Sequence, residues 1–237
     1  MKCALVDERI SESSERGLLL RGFRVIKIPA EKNLGEAVKS HPDMILFHHK
    51  NKIIASADYC ERFPHIFSDI REYSDSVSLT FTEDVFGKDY PHDVIFNALA
   101  VGDKIFLRRD SISHTVTEYA ESMNLKIVPV NQGYPSCVTL AFGSSAVTHD
   151  GGMARILSRE GIDVTLISAG DVSLPPHEYG FIGGASGVYR DTVYFLGNID
   201  LHRDAEKIKK ALERESMRWV SLSDEPLSDL GKIIFID

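Results

Sequence analysis

Apolar positions along the chain follow two periods, one typical of helices and one typical of strands. Five segments each combine an amphipathic, solvent-facing helix with a following strand whose apolar residues alternate or run continuously. These segments are residues 11–28, 58–81, 111–130, 150–167 and 202–222. A unit that returns five times predicts a repeat architecture.

Each of these strands leads through a polar or Pro/Gly-containing link into a predicted hairpin of two short strands. The hairpins begin near Asp43, Asp93, Cys137, Phe181 and Gly231. Four contain turn-forming residues, at 49–51, 102–103, 143–145 and 190–191. The fifth has only one apolar arm, 232–236, and the matching arm is 2–6 at the other end of the chain.

Five ββαβ units in cyclic order predict an α/β propeller formed by one domain, residues 1–237, with the helices outside. The N- and C-terminal strands are expected to pair and complete one unit, which removes exposed sheet edges. The alternative is a doubly wound parallel sheet. That architecture alternates single strands with helices and does not predict hairpins between a strand and the next helix.

One aspartate stands at each junction between a hairpin and its helix. These residues are Asp7, Asp58, Asp110, Asp150 and Asp200. Aspartate is a favourable N-cap because its carboxylate accepts a free backbone N–H, so we predict that all five cap helices or form turns. Gly22 and Gly161 are expected to end their helices.

Composition and charge argue against several classes of partner and cofactor. The net charge is −8, with 27 basic and 35 acidic residues and no basic patch, which argues against nucleic-acid or membrane partners. No apolar run approaches about 18 residues. Cys3, Cys60 and Cys137 are too scattered for a disulfide framework, so we expect a cytoplasmic protein. The nine histidines form no metal-binding spacing, and no motif indicates a cofactor.

Two short stretches point to a family. The text PHDVIFN at 91–97, followed by Gly102 and IFL at 105–107, resembles the substrate-binding hairpin of arginine deiminases. PLSDLGKII at 226–234 is similar to the segment before their catalytic strand. The five-unit ring resembles the pentein fold, or guanidino-group-modifying enzyme fold. The whole chain, above all YGFIGGASG at 179–187, looks most like an uncharacterised bacterial family with this fold.

The resemblance implies a cysteine nucleophile on the last unit, a histidine that shuttles protons and acidic residues that hold a guanidinium group. After Gly231, however, the sequence continues with Lys232 and four apolar or aromatic residues, so no cysteine stands there. The implied catalytic cysteine is therefore not assigned to the last unit.

Cys137 is the remaining candidate nucleophile, because it begins the third hairpin at the position equivalent to Asp43 and Asp93. His92 or His149 would serve as its base. The competing interpretation is that Cys137 is a buried packing residue, as most cysteines outside disulfides are.

Candidate ligand-binding groups surround the predicted funnel. Asp43 precedes four apolar residues and Asp93 precedes three, so burying either carboxylate is costly unless a cation or backbone donors compensate. Asn97 would help to orient a ligand. Gly183, Gly184 and Ser186 lie in a glycine-rich loop that either presents N–H groups to a ligand or permits tight packing. For the two aspartates, turn capping is the other interpretation.

Two functions remain open. In the first, the protein binds a small cationic or amino-acid-like molecule in its central funnel and is a divergent hydrolase of guanidine or amide groups. In the second, it is a non-catalytic binding or scaffold member of the fold, as the missing terminal cysteine suggests. The sequence does not specify the substrate, the reaction or the oligomeric state.

Overall fold

The computed structural model describes residues 2–74 and 76–237, so Asp75 of the second predicted segment lies outside the described residues. The strands are β1 (Cys3–Asp7), β2 (Arg24–Ile28), β3 (Leu46–His49), β4 (Lys52–Ser56), β5 (Ser78–Thr82), β6 (Leu99–Val101), β7 (Lys104–Leu107), β8 (Lys126–Pro129), β9 (Thr139–Phe142), β10 (Ser145–Thr148), β11 (Asp163–Leu166), β12 (Val172–Ser173), β13 (Ser186–Tyr189), β14 (Thr192–Phe195), β15 (Arg218–Ser221), β16 (Leu227–Ser228) and β17 (Ile234–Ile236).

Helices connect the strands. They are α1 (Glu12–Leu20), α2 (Pro42–Ile45), α3 (Ala57–Arg62), α4 (Pro64–Tyr73), α5 (His114–Ser122), α6 (Pro135–Val138), α7 (Gly151–Arg159) and α8 (Ala205–Arg214), with a 3₁₀ turn at Ile199–Leu201. None of the helices in the described part of the chain is long and apolar enough to cross a membrane.

The described residues form five three-stranded sheets with one common plan. Their strand orders are β17-β1-β2, β3-β4-β5, β6-β7-β8, β9-β10-β11 and β13-β14-β15. In every sheet the central strand pairs antiparallel with the first strand and parallel with the third. Helical segments lie between the central and third strands in sequence, as a parallel crossover requires. The result is an α/β fold of small mixed sheets.

The two ends of the described chain share one sheet, as predicted. Cys3 lies opposite Ile236 and Leu5 opposite Ile234 in the antiparallel pairing of β1 with β17. β17 is shorter than the predicted arm 232–236, because the strand begins only at Ile234.

The predicted hairpin turns are also confirmed. Four two-residue turns connect β3 to β4, β6 to β7, β9 to β10 and β13 to β14. The first residue of each turn, Lys50, Gly102, Gly143 or Arg190, has a φ between 54° and 59°. That left-handed conformation matches the twist of the adjoining strands.

Burial follows the sheet plan. The central strands β1, β10 and β14 are buried at every residue, whereas the third strands β2, β11 and β15 are partly exposed. Helices such as α8 contribute only one buried face, formed by Ala205, Ile208, Ala211 and Leu212.

The prediction of capping or turn formation is correct for Asp150 as a cap and for Asp7 as a turn residue. Asp150 is the N-cap of α7, and its Oδ1 accepts the N–H groups of Gly152 at 2.7 Å and Met153 at 2.9 Å. Asp7 is fully buried; its Oδ1 accepts the backbone N–H of Arg9 at 2.7 Å, and its Oδ2 pairs with the Arg9 guanidinium at 2.6 Å. The residue at the start of α1 that accepts a backbone N–H is Ser11.

The other three aspartates do not cap either. Asp58 lies inside the first turn of α3, Asp110 precedes α5 by several residues, and Asp200 lies within the 3₁₀ turn. Gly22 and Gly161, with φ of 78° and 84°, do end their helices as predicted. A short polar residue near a junction thus indicates the junction but not which residue caps.

Replacing Asp150 with alanine is expected to destabilise the protein by about 1 kcal/mol, because two N–H groups at the start of α7 lose their acceptor. Asp110→Ala is the matched control, since Asp110 is exposed and pairs only with Arg108 at 3.3 Å; it should change stability by less than about 0.5 kcal/mol. Urea denaturation measures both. Equal effects would show that the cap contributes nothing.

Candidate functional site

The structure brings the Cys137 thiol and the Asp43 carboxyl into direct contact. Each residue lies on a one-turn helix with proline at its start, α6 and α2, which leads directly into the first strand of a sheet. Counted from the proline that starts each helix, Asp43 corresponds to Ser136 and not to Cys137, so the predicted equivalence is wrong by one residue. The two side chains nevertheless meet, and Cys137 Sγ donates a hydrogen bond to Asp43 Oδ2 at 3.0 Å. Both side chains are at least 96% buried.

Asn97 holds this pair in place. Its Nδ2 donates to the backbone carbonyl of Asp43 at 3.2 Å and lies 3.1 Å from Cys137 Sγ. Its Oδ1 accepts the N–H of Ser136 at 2.9 Å. The predicted orienting residue therefore orients the two candidate chemical groups.

Burial makes the Asp43 carboxyl and the Cys137 thiol harder to deprotonate than they would be in water. It raises the pKa of the Asp43 carboxyl, although the hydrogen bond from Cys137 acts in the opposite direction. It also raises the pKa of the Cys137 thiol well above its usual value, and the negative charge of Asp43 adds to the effect. In the ligand-free protein Cys137 is thus a neutral thiol.

Cys137 lines a cavity of about 320 Å³. The other lining residues are Val38, His41, Tyr134, Leu174, His177, Glu178, Tyr179, Phe181 and Asp229. A larger cavity of about 550 Å³ lies beside α7, but it is lined by neither cysteine nor histidine. Of these two cavities, the smaller one combines a thiol, imidazoles and carboxyl groups.

His41 is the imidazole buried beside this cavity, and it is only 1% exposed. Its Nε2 lies 3.8 Å from Asp7 Oδ2 and its Nδ1 lies 3.9 Å from Asp229 Oδ1. Among the described residues neither ring nitrogen has a hydrogen-bond partner. Burial lowers the pKa of His41 to about 3, with the charge of Arg9 acting in the same direction. The ring is therefore neutral at physiological pH and able to accept a proton.

Asp229 is a buried carboxyl at the same cavity. Its Oδ2 accepts the N–H of Phe181 at 2.9 Å and its Oδ1 accepts the N–H of Gly231 at 3.1 Å. The short parallel pairing of β12 with β16 brings these segments together. Burial raises the pKa of Asp229 to about 7, and the charge of Asp43 contributes to the increase. A cation in the cavity would favour the ionised form.

The glycine-rich loop packs against the Cys137 turn. A Cβ atom on Gly183 would lie 2.3–2.6 Å from the carbonyl oxygens of Ser136, Cys137 and Thr139. The N–H of Gly184 donates to the Cys137 carbonyl at 2.9 Å, and the Ser186 hydroxyl donates to the Ile182 carbonyl at 2.8 Å. These contacts favour the tight-packing interpretation of the loop over direct binding of a ligand.

Three predicted site residues lie apart from the Cys137–Asp43 contact. Asp93 accepts a hydrogen bond from the Tyr134 hydroxyl at 3.0 Å, so it reaches the cavity only through that tyrosine. His92 is exposed, in the turn before Asp93. His149 stacks on Phe181 with ring centroids 5.4 Å apart. Among the described residues, the histidines that line the cavity are His41 and His177, so neither predicted base is placed beside the thiol.

Sequence reasoning missed His41 and Asp229. His41 directly precedes the Pro42-Asp43 corner, and the residue that corresponds to it in the third repeat, directly before Pro135, is Tyr134. Asp229 lies in a segment interpreted only as leading to the last strand. The signal that could have found them is their position, since both are polar residues at the inner ends of hairpins. In the described part of the chain no group of three or more His, Cys, Asp or Glu residues is placed to hold a metal ion.

Several solved structures have a fold similar to that of this chain. The chain is similar to C. jejuni agmatine deiminase, with a TM-score of 0.57, 9% identity and coverage of 94% of this chain and 87% of that one. It is also similar to dimethylarginine dimethylaminohydrolase from Pseudomonas aeruginosa, complexed with citrulline, with a TM-score of 0.54, 8% identity and coverage of 94% and 91%. A third is an amidinotransferase from Microseira wollei, with a TM-score of 0.52, 10% identity and coverage of 91% and 73%.

The repeated sheets and these similarities define a pentein-fold protein, the fold of guanidino-group-modifying enzymes. No curated protein matches the sequence. A family model does match residues 5–234, and the chain belongs to that family, described as "Family of unknown function (DUF6873)".

Proposed function

We propose that the five sheets are the blades of one α/β propeller, formed by a single domain of residues 1–237, and that the Cys137 cavity lies at its axis. The common strand order and the pairing of β1 with β17 support this arrangement. The contact between Cys137 and Asp43 supports it too, because the corresponding one-turn helices of two repeats, α2 and α6, meet at an axis. A cytoplasmic location remains a prediction.

The ligand we propose is a small organic cation of the guanidine or amidine class. One observation carries this proposal: the cavity contains the buried carboxyl of Asp229 and the carboxyl of Glu178, while no lysine or arginine is among its described lining residues. A buried carboxylate is stabilised by a cation that replaces the lost water. Tyr134, Tyr179 and Phe181 add aromatic surface, which attracts cations as well.

The same lining argues against an amino acid as the preferred ligand. The α-carboxylate of an amino acid needs a basic partner when it leaves water, and arginine is the side chain best suited to that role. His41 does not replace it, because burial keeps its ring neutral at physiological pH. An amine-bearing guanidine without a carboxylate, such as agmatine, fits the charges better than arginine does.

The chemistry we propose is hydrolysis of a guanidine C–N bond. The positive charge of the bound ligand lowers the pKa of the Cys137 thiol, and Asp43, which already accepts the thiol hydrogen bond, takes its proton. The sulfur then bonds to the guanidine carbon and one C–N bond breaks. The leaving amine receives, by way of His41, the proton that Asp43 took from the thiol. Water displaces the sulfur in a second step and regenerates the thiol.

The second candidate is a binding protein without catalysis. The raised pKa of the Cys137 thiol and its hydrogen bond to Asp43 favour it, because both make the sulfur a weak nucleophile. The end of the chain supports it too, since Lys232 and Ile233 lead into β17 and neither they nor the strand itself contains a cysteine.

Two alkylating reagents of similar size separate these candidates. Chloroacetamidine is a cation and chloroacetamide is neutral, so only the first should be drawn to the buried carboxyls. We expect Cys137 to react at least tenfold faster with chloroacetamidine at pH 7.5, measured by peptide mass spectrometry, after correction for the ratio that free cysteine shows. Cys60, a partly buried cysteine outside the cavity, is the internal control and should show no such preference.

Equal rates at Cys137 with the two reagents would refute the proposed cation site. A cationic preference without turnover of agmatine or related guanidines, followed as release of ammonia or amine, would favour the non-catalytic candidate instead.

A further inference from the structure

Asp43 also lines a second cavity, of about 200 Å³. Cys137 is not among its lining residues, just as Asp43 is not among those of the first cavity. The Cys137–Asp43 contact therefore lies between two separate spaces. Lys232, Ser136, His48, His49 and Lys50 line the second one as well, so its charge differs from that of the first.

Lys232 places an amine in this second cavity. Among the described residues, the only hydrogen bond of this amine runs from Lys232 Nζ to Ser136 Oγ, at 3.1 Å. That bond uses one of the three donors of an ammonium group. Burial lowers the pKa of the Lys232 amine, against the opposite effect of the Asp43 charge. Desolvation of this kind increases the fraction of lysine present as the nucleophilic free amine.

The backbone at Lys232 is unusual. Its φ is 73°, in the left-handed region that is unfavourable for a residue with a Cβ atom. Such a conformation costs on the order of 1 kcal/mol, and residues of this kind cluster at functional sites. The conformation directs a lysine side chain inward at the entrance to the last strand, where Ile233 and Ile234 are buried apolar residues.

Two further groups at this cavity have unused hydrogen-bonding capacity. Asp43 Oδ1 and His48 Nε2 are buried and lack hydrogen-bond partners in the described part of the chain. Burial lowers the pKa of His48 to about 4, so its imidazole is neutral at physiological pH. Burial raises the pKa of Asp43, so its carboxyl group holds a proton more tightly than it would in water. An amine, an acid and a base thus face one small space.

We propose that Lys232 is the nucleophile of a second site, which forms an imine with a small 2-oxo acid or aldehyde acid. The amine nitrogen bonds to the carbonyl carbon, and His48 transfers one proton from this nitrogen to the carbonyl oxygen, which gives a carbinolamine. Asp43 then protonates the hydroxyl group, water leaves as the carbon–nitrogen double bond forms, and the remaining proton of the nitrogen returns to Asp43. Overall, one amine and one carbonyl group are converted into one imine and one water molecule.

The lining sets the size and charge of the ligand. A volume of about 200 Å³ is below that of most drug-sized sites, which favours a molecule of a few carbon atoms. Lys50 is exposed beside the cavity, and together with His49 it offers a partner for a carboxylate next to the carbonyl group. Glyoxylate meets both requirements.

Reductive trapping tests the proposal. The protein is incubated with glyoxylate and cyanoborohydride at pH 6.5, where the reagent reduces an imine to a stable secondary amine, and each lysine is followed by peptide mass spectrometry. We expect Lys232 to be labelled at least tenfold faster than Lys50, the exposed lysine near the same cavity. Lys232→Arg keeps the positive charge but cannot form the imine, so it should lose this fast labelling.

Labelling of Lys232 no faster than that of Lys50 would overturn the proposal. So would fast labelling of the K232R variant at some other lysine, because the rapid site would then lie elsewhere. A thermal melt of K232R close to that of the wild type shows that the variant is folded. This readout does not involve the alkylation of Cys137, so either proposal can fail while the other stands.

Discussion

Gly183→Ala is expected to destabilise the protein by about 3 kcal/mol or more. The added Cβ would lie 2.3–2.6 Å from three backbone carbonyl oxygens, of Ser136, Cys137 and Thr139, and backbone atoms cannot rotate away as a side chain does. Because these carbonyls belong to the turn that carries the candidate thiol, the variant should also lose the cationic preference of Cys137. Chemical denaturation and the alkylation assay measure the two effects.

Gly35→Ala is the matched control for this prediction. A Cβ on Gly35 meets nothing within 4 Å, and its backbone is not in the left-handed region. We expect its stability to differ from the wild type by less than about 0.5 kcal/mol. If Gly183→Ala were equally mild, the loop would not pack tightly on the Cys137 turn, and the alternative interpretation of its glycines, direct contact with a ligand, would regain support.

Asp229→Asn is expected to weaken agmatine binding at least tenfold, about 1.4 kcal/mol. The substitution keeps the size of the side chain but removes the carboxylate that would hold the cation. In the wild type, agmatine should raise the melting temperature more than arginine does, since the cavity offers an α-carboxylate no lysine or arginine partner. Isothermal titration calorimetry gives the affinities. Unchanged agmatine affinity in the variant would remove Asp229 from the site.

The same variant should change the pH dependence of stability. The folded pKa of Asp229 is about 7, above its ordinary value of 3.8, so the folded state binds this proton more tightly than the unfolded state. The stabilisation is therefore complete below about pH 4 and is lost as the pH rises through about 7. Between pH 5 and pH 8 the wild type should lose about 2–3 kcal/mol relative to D229N.

This difference is measured by urea denaturation of both proteins at the two pH values. Comparing the variant with the wild type cancels the opposite contribution of His41, whose lowered pKa favours unfolding as the pH falls below its ordinary value. A difference that stays constant with pH would mean that Asp229 is ionised throughout and is already paired with a cation.

The sequence predicts the fold well because its signals are local and repeated. Two-residue turns at Gly102-Asp103 and Arg190-Asp191 fix the hairpins, and the pairing of β1 with β17 follows from counting the arms. Capping is predicted less well. An aspartate serves both in the buried ion pair of Asp7 with Arg9 and as the helix cap at Asp150. Only the surroundings in the folded protein distinguish the two roles.

The candidate site is harder to predict because its residues come from different repeats. The sequence places Asp43 and Cys137 at the entrances of two hairpins, and the two side chains do meet, although the structure shows them one residue out of register in the repeat. The partners of His41, in contrast, are Asp7 and Asp229, which are far apart along the chain and carry no motif. Lys232 gave no signal either, because its left-handed backbone conformation is a property of the folded chain.

The sheet that joins β1 to β17 also has a consequence for biosynthesis. Cys3 is synthesised more than 200 residues before its antiparallel partner Ile236. Until then one edge of β1 has no strand beside it, and a nascent chain with such an edge is exposed to aggregation. We expect a chaperone that shields extended segments to raise the yield of this protein during translation.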